Sequence, residues 1–216
     1  MKALVTGHMG FIGSHLTKTL ILAGWQVEGF DLKEGQDIRQ REYSLPKADW
    51  CFHLAALTDA RSEDVRGIMD TNVNGTIHVL EQFRDRVVFA SSSAVNYPYT
   101  PYAISKLTGE HLCTMAGAYV VRLCNIFGPG GHGVFEKFEQ QDVLEVAGLG
   151  DQVRTYAHVR DAVDALIGII DARVGYTKIL RGIDMTVNEI VQTRFKDKPY
   201  KRVPRAPTDI IDGRQL

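Results

Sequence analysis

Thr6-Gly7-His8-Met9-Gly10-Phe11-Ile12-Gly13 lies between a short apolar run, Lys2 to Thr6, and a stretch whose apolar residues return at helical spacing: Phe11, Ile12, Leu16, Leu20 and Ala23. A strand, a glycine turn and a helix in that order open a dinucleotide-binding βαβ unit. Gly7 permits the tight turn, Gly10 lets backbone approach a pyrophosphate, and Gly13 lets helix and strand pack closely. The amides of this turn and helix start, from Met9 through Phe11 and Ile12, then face the phosphate charge. Asp31 strengthens the reading, because it closes the next strand 18 residues after Gly13. A carboxylate there accepts hydrogen bonds from the adenosine ribose hydroxyls and repels a 2′-phosphate, which favours NAD over NADP. Leu32 and Lys33 follow it, and the lysine charge moderates that preference.

Outward from this turn, strands and helices alternate. Trp25 to Asp31, Asp49 to Leu54, Arg86 to Ala90 and Tyr119 to Cys124 read as strands. Ser62 to Phe83 (with an interruption near Gly67), Pro101 to Met115 and Val159 to Ile170 read as helices. Such alternation predicts an α/β fold, a Rossmann-type doubly wound parallel sheet with helices on both faces, joined by right-handed crossovers. The dinucleotide-binding core is expected over 1–125 and about 151–180, and a small C-terminal substrate lobe over about 126–150 and 181–216. In the latter part Tyr176 to Leu180 reads as a strand, Thr186 with Glu189 as a capping box, and the basic, proline-containing run Lys196 to Arg205 as a loop.

With 216 residues, 44% of them hydrophobic, the chain can build one full core and a small lobe. A net charge of -1 provides no electrostatic excess to attract nucleic acid or an anionic membrane. No apolar run is long enough to span a bilayer, and the N-terminus enters a strand directly, unlike a signal peptide. Cys51, Cys113 and Cys124 have neither metal nor paired spacing, and a reducing cytoplasm fits them. His53 reads as a structural residue at a strand end. His132 and His158 have no ligand spacing, and no metal is expected.

These residues resemble the extended short-chain dehydrogenase/reductase family, the NAD-dependent nucleotide-sugar epimerases and dehydratases. The likeness follows in order along most of the chain: the glycine turn, Asp37-Ile38, His53-Leu54-Ala55-Ala56, Thr71-Asn72, Ser91-Ser92-Ser93-Ala94, Tyr102-Ala103-Ile104-Ser105-Lys106, Arg122-Leu123-Cys124-Asn125, Gly128-Pro129-Gly130 and Arg154 to Asp161. It implies that Asp37 and Ile38 lie beside adenine, that Leu54, Ala55 and Ala56 pass the pyrophosphate, and that Asn72 supports the active site. It further implies that Ser91, Tyr102 and Lys106 line the cofactor, that Ser93, Tyr102 and Lys106 are catalytic, and that Ser93, Asn125 and Arg154 meet the substrate, the arginine gripping its diphosphate. Ser92 replaces Ser93 if Asn96 is an insertion. The chain departs from the family in having Asn96-Tyr97-Pro98 for Val-Tyr-Gly, and in a separation of only nine positions from Ser93 to Tyr102.

Tyr102 and Lys106, four apart, share one helix face, with Thr100 as cap and Pro101 in the first turn. Such a pair is common on helices and gains meaning from the dinucleotide turn. A nearby ammonium and the positive nicotinamide would favour the phenolate and make Tyr102 a usable base. The dehydrating members of the family place an acid two positions after the catalytic hydroxyl. Here that position holds Val95, and Ala94 before it is apolar too. The expected activity is therefore that of an isomerase: an epimerase acting on a nucleotide sugar, with a UDP-sugar favoured, at C4 through a transient 4-keto intermediate. A keto-sugar reductase and a non-catalytic NAD-binding redox sensor are the alternatives. The resemblance also implies a homodimer formed by the two helices at Ser62–Phe83 and Pro101–Met115, with Val73, Ile77, Leu80, Leu107 and Leu112 available to it unless they face their own sheet.

Overall fold

Parallel strands need long crossovers, and the chain supplies them. The computed structural model describes residues 1–42, 44–59 and 62–204. β1 (Lys2–Thr6) is followed by α1 (Phe11–Leu22), and a turn at Gly24 leads to β2 (Gln26–Phe30). A single 3-10 turn, Leu32–Glu34, precedes β3 (Trp50–His53). α2 (Val65–Met69), a π-helical turn (Asp70–Asn74) and α3 (Gly75–Phe83) make one helical run before β4 (Val87–Ser92). The 3-10 turn Ser93–Asn96, α4 (Pro101–Ala116) and β5 (Tyr119–Leu123) follow. Then come β6 (Asn125–Phe127), α5 (Val134–Glu139), β7 (Leu144–Ala147), β8 (Val153–His158), α6 (Val159–Gly168), β9 (Thr177–Ile179), β10 (Ile183–Thr186), α7 (Val187–Arg194) and β11 (Tyr200–Val203).

The chain forms two units. The first comprises Met1–Leu123 and Arg160–Leu180. Its strands make one parallel sheet in the order β2-β1-β3-β4-β5-β9. Ala3, Leu4, Val5 and Thr6 are all fully buried, as a strand covered on both faces must be. Its core gathers Leu4, Phe30, Val79, Phe83, Phe89 and Val120. β1 has β2 on one side and β3 on the other, so the strand order reverses there, and the crevice beyond its carboxyl end is where such sheets bind ligands.

The second unit comprises Cys124–Val159 and the described residues from Arg181 onward. It holds a three-stranded sheet, β10-β8-β6, and the pair β11-β7, around Phe135, Phe138, Tyr156 and Ile190. The Thr186–Glu189 capping box opens α7 as expected.

Three expectations are corrected. β8 falls in the second unit rather than with the core, because its partners are β6 and β10. Arg205 lies outside the described residues, and the rest of the run, Lys196 to Pro204, is not simply a loop: Tyr200–Val203 is a strand, paired in parallel with Leu144–Ala147, a partner too distant for sequence periodicity to reveal. The break near Gly67 is a helix start, where the Asp64 carboxylate accepts from the Gly67 amide at 2.9 Å; the irregular turn comes later, at Asp70–Asn74. Among the described residues, no helix is long and apolar enough to cross a membrane.

Candidate active site

At the end of β1 the chain turns through Gly7 at φ 72°. A Cβ on Gly7 would lie 2.8 Å from the Ala55 nitrogen, and one on Gly13 would lie 2.1 Å from the Gly7 carbonyl oxygen. Backbone therefore packs on backbone where the turn, the start of α1 and the exit of β3 meet. Gly10 caps α1 without a side chain, and no acid stands in the first turn of the helix. The positive end of the helix dipole is thus left for an anion, as a bound pyrophosphate needs.

Asp31 is buried beside this turn. Its Oδ2 accepts from the Met9 amide at 2.9 Å and its Oδ1 from the Lys33 amide at 3.0 Å. Lys33 Nζ donates to the Met9 carbonyl at 3.1 Å, while Leu32 is exposed. The carboxylate fixes the loop and keeps lone pairs for ribose hydroxyls. Asp37 is gripped by Arg39, whose guanidinium holds the carboxyl below the usual range. Ile38 is buried: its side chain faces Gly75, and its carbonyl accepts from His78 Nδ1 at 3.0 Å. Leu54, Ala55 and Ala56 are half-buried at the exit of β3.

His53 joins this end of the sheet to the neighbouring helix. The Thr76 hydroxyl donates to the Asn72 carbonyl at 2.6 Å, so it must accept from His53 Nε2–H at 3.0 Å. His53 Nδ1 then accepts from the Thr6 hydroxyl at 2.7 Å, which itself accepts from the Ala55 amide at 3.2 Å. Complete burial pushes the imidazole pKa down to about 3, so it is a neutral pin.

Asn72 lies buried within the π-helical turn, a distortion that is common at functional sites. Its Oδ1 accepts from the Leu57 amide at 2.8 Å. Its Nδ2 donates to the Leu57 carbonyl and to Ser105 Oγ, both at 2.9 Å. Ser105 in turn donates to the Tyr102 carbonyl at 2.7 Å. The helix carrying Tyr102 and Lys106 is thereby tied to the run below it. Thr100 caps α4 by accepting from the Ala103 amide at 3.2 Å.

Lys106 is buried, donates to the Ala90 carbonyl at 2.9 Å and stands 4.8 Å from the Phe89 ring centre. Burial lowers its pKa to about 8, so it stays largely cationic at pH 7. Burial also raises the Tyr102 phenol, and a hydrogen bond with Ser92 draws it back down. The serine beside the phenol is therefore Ser92, the alternative the sequence left open. Ser93 follows it as the first residue of the 3-10 turn. The lowered phenol expected from Lys106 and the nicotinamide is replaced, in the chain by itself, by a raised one, because removal from water outweighs the serine.

Ser91, expected to line the cofactor, donates its hydroxyl to Glu110 at 2.5 Å. Glu110 is buried and holds Arg122 through three contacts between 2.7 and 3.1 Å. The sequence reading missed Glu110, Ser105 and Thr76. The spacing of Tyr102, Lys106 and Glu110, four apart on one helix face, was the available signal.

In the second unit Asn125 lies on β6 and donates to the Thr155 carbonyl at 3.0 Å; Arg154 lies on β8 and donates to the Val153 carbonyl at 3.1 Å. Glu136 ties down the glycine turn there, accepting from the Gly128 amide at 2.7 Å and the Gly133 amide at 3.0 Å. No cluster of metal-ligating side chains occurs among the described residues.

The first unit thus offers a glycine cradle for a dinucleotide phosphate, an acid for its ribose, a half-buried phenol and serine, and a buried ammonium. Residues 3–179 match the model of the NAD dependent epimerase/dehydratase family. The chain is 30% identical over 231 residues to a UDP-N-acetyl-alpha-D-glucosaminuronate decarboxylase of Bacillus cytotoxicus, covering 80% of this chain and 72% of that protein. It is 27% identical over 241 residues to a putative UDP-glucose 4-epimerase of Methanocaldococcus jannaschii, covering 87% of this chain and 79% of that one. The solved UDP-glucose 4-epimerase of Thermotoga maritima with UDP-glucose superposes with a TM-score of 0.88 at 23% identity, covering 98% of this chain and 89% of the other.

Proposed function

The chain belongs to the NAD dependent epimerase/dehydratase family, and from that premise we propose that it is a nucleotide-sugar epimerase acting at C4 of a UDP-sugar. The observation that carries this reading is the placement of Ser92 against Tyr102, with Lys106 on the same helix face and no acid after the serine. Two positions beyond Ser92 is Ala94, and two beyond Ser93 is the buried Val95. Neither can remove the proton that an elimination of water requires, so oxidation and re-reduction at one carbon is what the site supports.

NAD held on the Gly7 to Gly13 turn and by Asp31 would supply reversible acceptance of the C4 hydrogen with its electron pair. Tyr102 takes the C4 hydroxyl proton and gives it back after the keto sugar has turned over. Ser92 donates to the sugar oxygen, and the Lys106 charge favours the phenolate. In this reading Ser93 serves the sugar from the following turn, Asp37, Ile38 and Leu54 to Ala56 line the cofactor, and Ser91 does so through its backbone alone, its hydroxyl being held by Glu110. Incubation with UDP-glucose, UDP-N-acetylglucosamine and their uronates, followed by NMR, tests the reaction; a C4 epimer without net change in NADH is the expected result. No conversion across the panel refutes it.

The decarboxylase relative favours a second reading. A 4-keto sugar bearing a carboxyl on C5 is a β-keto acid and loses carbon dioxide. Release of carbon dioxide from a uronate with no epimer formed would replace epimerisation by decarboxylation. Stoichiometric NADH consumption would indicate a keto-sugar reductase, and NAD binding unaltered in Tyr102→Phe with no turnover in either protein would indicate a sensor. The reading also includes a cytoplasmic homodimer, supported by the exposed apolar residues Val65 on α2 and Ile104 and Met115 on α4. Leu80, by contrast, is buried in the chain's own core with Leu112 against it. Light scattering tests the dimer, and cell fractionation tests the location.

A further inference from the structure

Glu110 stands on α4, eight residues after Tyr102, and is buried. It accepts from Ser91, the residue before Ser92 on β4, at 2.5 Å and is held by Arg122 on β5. Arg122 Nη1 also reaches Asn96 Oδ1 at 3.5 Å. The ion pair therefore grips Ser91 before the 3-10 turn and Asn96 at its end, and bonds three elements around it. With Glu110 buried and Arg122 partly exposed, such a pair adds little stability, because desolvation of the acid and solvent screening of the arginine offset its attraction.

We propose that the Glu110–Arg122 pair is a positioning device for Ser92, fixing both ends of the β4–α4 turn so that the serine hydroxyl stays on the Tyr102 oxygen. This rests on the reading that Tyr102 moves the substrate proton. Lys106, the other charge on this helix face, has Cys113 on α4 and His53 on β3 beside it. Burial keeps the thiol protonated up to about 12 and the imidazole neutral, so Lys106 is what titrates alongside the phenol.

The test compares Ser91→Ala and Glu110→Gln with wild type in three measurements: NAD binding by titration calorimetry, kcat and KM with the sugar that turns over, and the pH dependence of kcat. Both variants should lower kcat at least tenfold, leave NAD Kd and sugar KM within twofold, and move the ascending limb of the pH profile up by half a unit or more. Arg122→Lys should retain part of the activity, since it keeps the charge and loses the fork. If Glu110→Gln fails to fold, Ser91→Ala carries the test, because it leaves the ion pair whole. An unmoved limb, or an equal loss of NAD affinity and kcat, overturns the proposal. Should no nucleotide sugar turn over, the phenol can still be followed by ultraviolet absorbance as wild type minus Tyr102→Phe. A titration that Ser91→Ala does not shift upward then defeats the clamp independently of the reaction.

Discussion

The two halves of the parallel sheet fix their functional groups by different means. On the β1, β2 and β3 side, placement is achieved by backbone. Gly7, Gly10 and Gly13 let main chain approach main chain, and Asp31 holds a backbone amide. On the β4 and β5 side, placement is achieved by polar side chains in series, buried but for the partly exposed Arg122: Asn72 to Ser105 to the Tyr102 carbonyl, and Ser91 to Glu110 to Arg122. Backbone contact tolerates no extra atom but needs few partners. A side-chain chain tolerates substitution poorly at every link, because each lost partner leaves a buried polar group unsatisfied. His53 is where the halves meet, since it bonds Thr6 on one side and Thr76, next to Asn72, on the other.

The sharpest break should come on the backbone side. Gly13→Val sets a Cβ 2.1 Å from the Gly7 oxygen, so the turn must open. NAD binding should fall by about a hundredfold or more, read by calorimetry, with circular dichroism reporting whether the fold persists. Tyr102→Phe should do the reverse. Turnover should drop by about two to four orders of magnitude while NAD Kd stays within threefold; an equal loss of both would show that the halves are not separable.

His53→Gln probes the junction. The folded imidazole pKa is near 3, while the unfolded one is near its ordinary 6.5. Between those values the unfolded chain binds more protons, so stability is fully present above pH 6.5 and declines as pH falls through that window. The wild type should lose about 1.4 kcal/mol per pH unit relative to the variant, measured by urea unfolding at pH 7 and pH 5. Parallel slopes would mean that the histidine is not held neutral. Asp31→Ala should have the smallest effect: about tenfold weaker NAD binding with a gain for NADP, the size expected of one lost charge-assisted ribose contact.

The backbone half was largely readable in advance. Glycine spacing, the acid at the end of β2 and the strand–turn–helix order are local, and local geometry is what a short window of sequence encodes. The Thr100 cap and the Tyr102–Lys106 face followed for the same reason. The other half was not readable. Three consecutive serines look alike in a sequence, and which one meets Tyr102 depends on where β4 stops pairing with β5, which it does at Ser92 opposite Leu123. Glu110 reads as an exposed helical acid until Ser91 and Arg122, from two other strands, surround it. The strand Tyr200–Val203 was missed for a related cause: its partner β7 lies more than fifty residues earlier.

Sequence by itself determined the parallel α/β sheet, the dinucleotide turn, the preference for NAD and the phenol–ammonium pair, because each is written in local patterns: periodic runs, glycine spacing, an acid closing the second strand, and a tyrosine and lysine one helical turn apart. Only the tertiary structure decided which serine serves the phenol, what holds that serine, and why His53 stays neutral. Those depend on burial and on partners brought together from distant segments, and both come into being only when the sheet and its helices close around them.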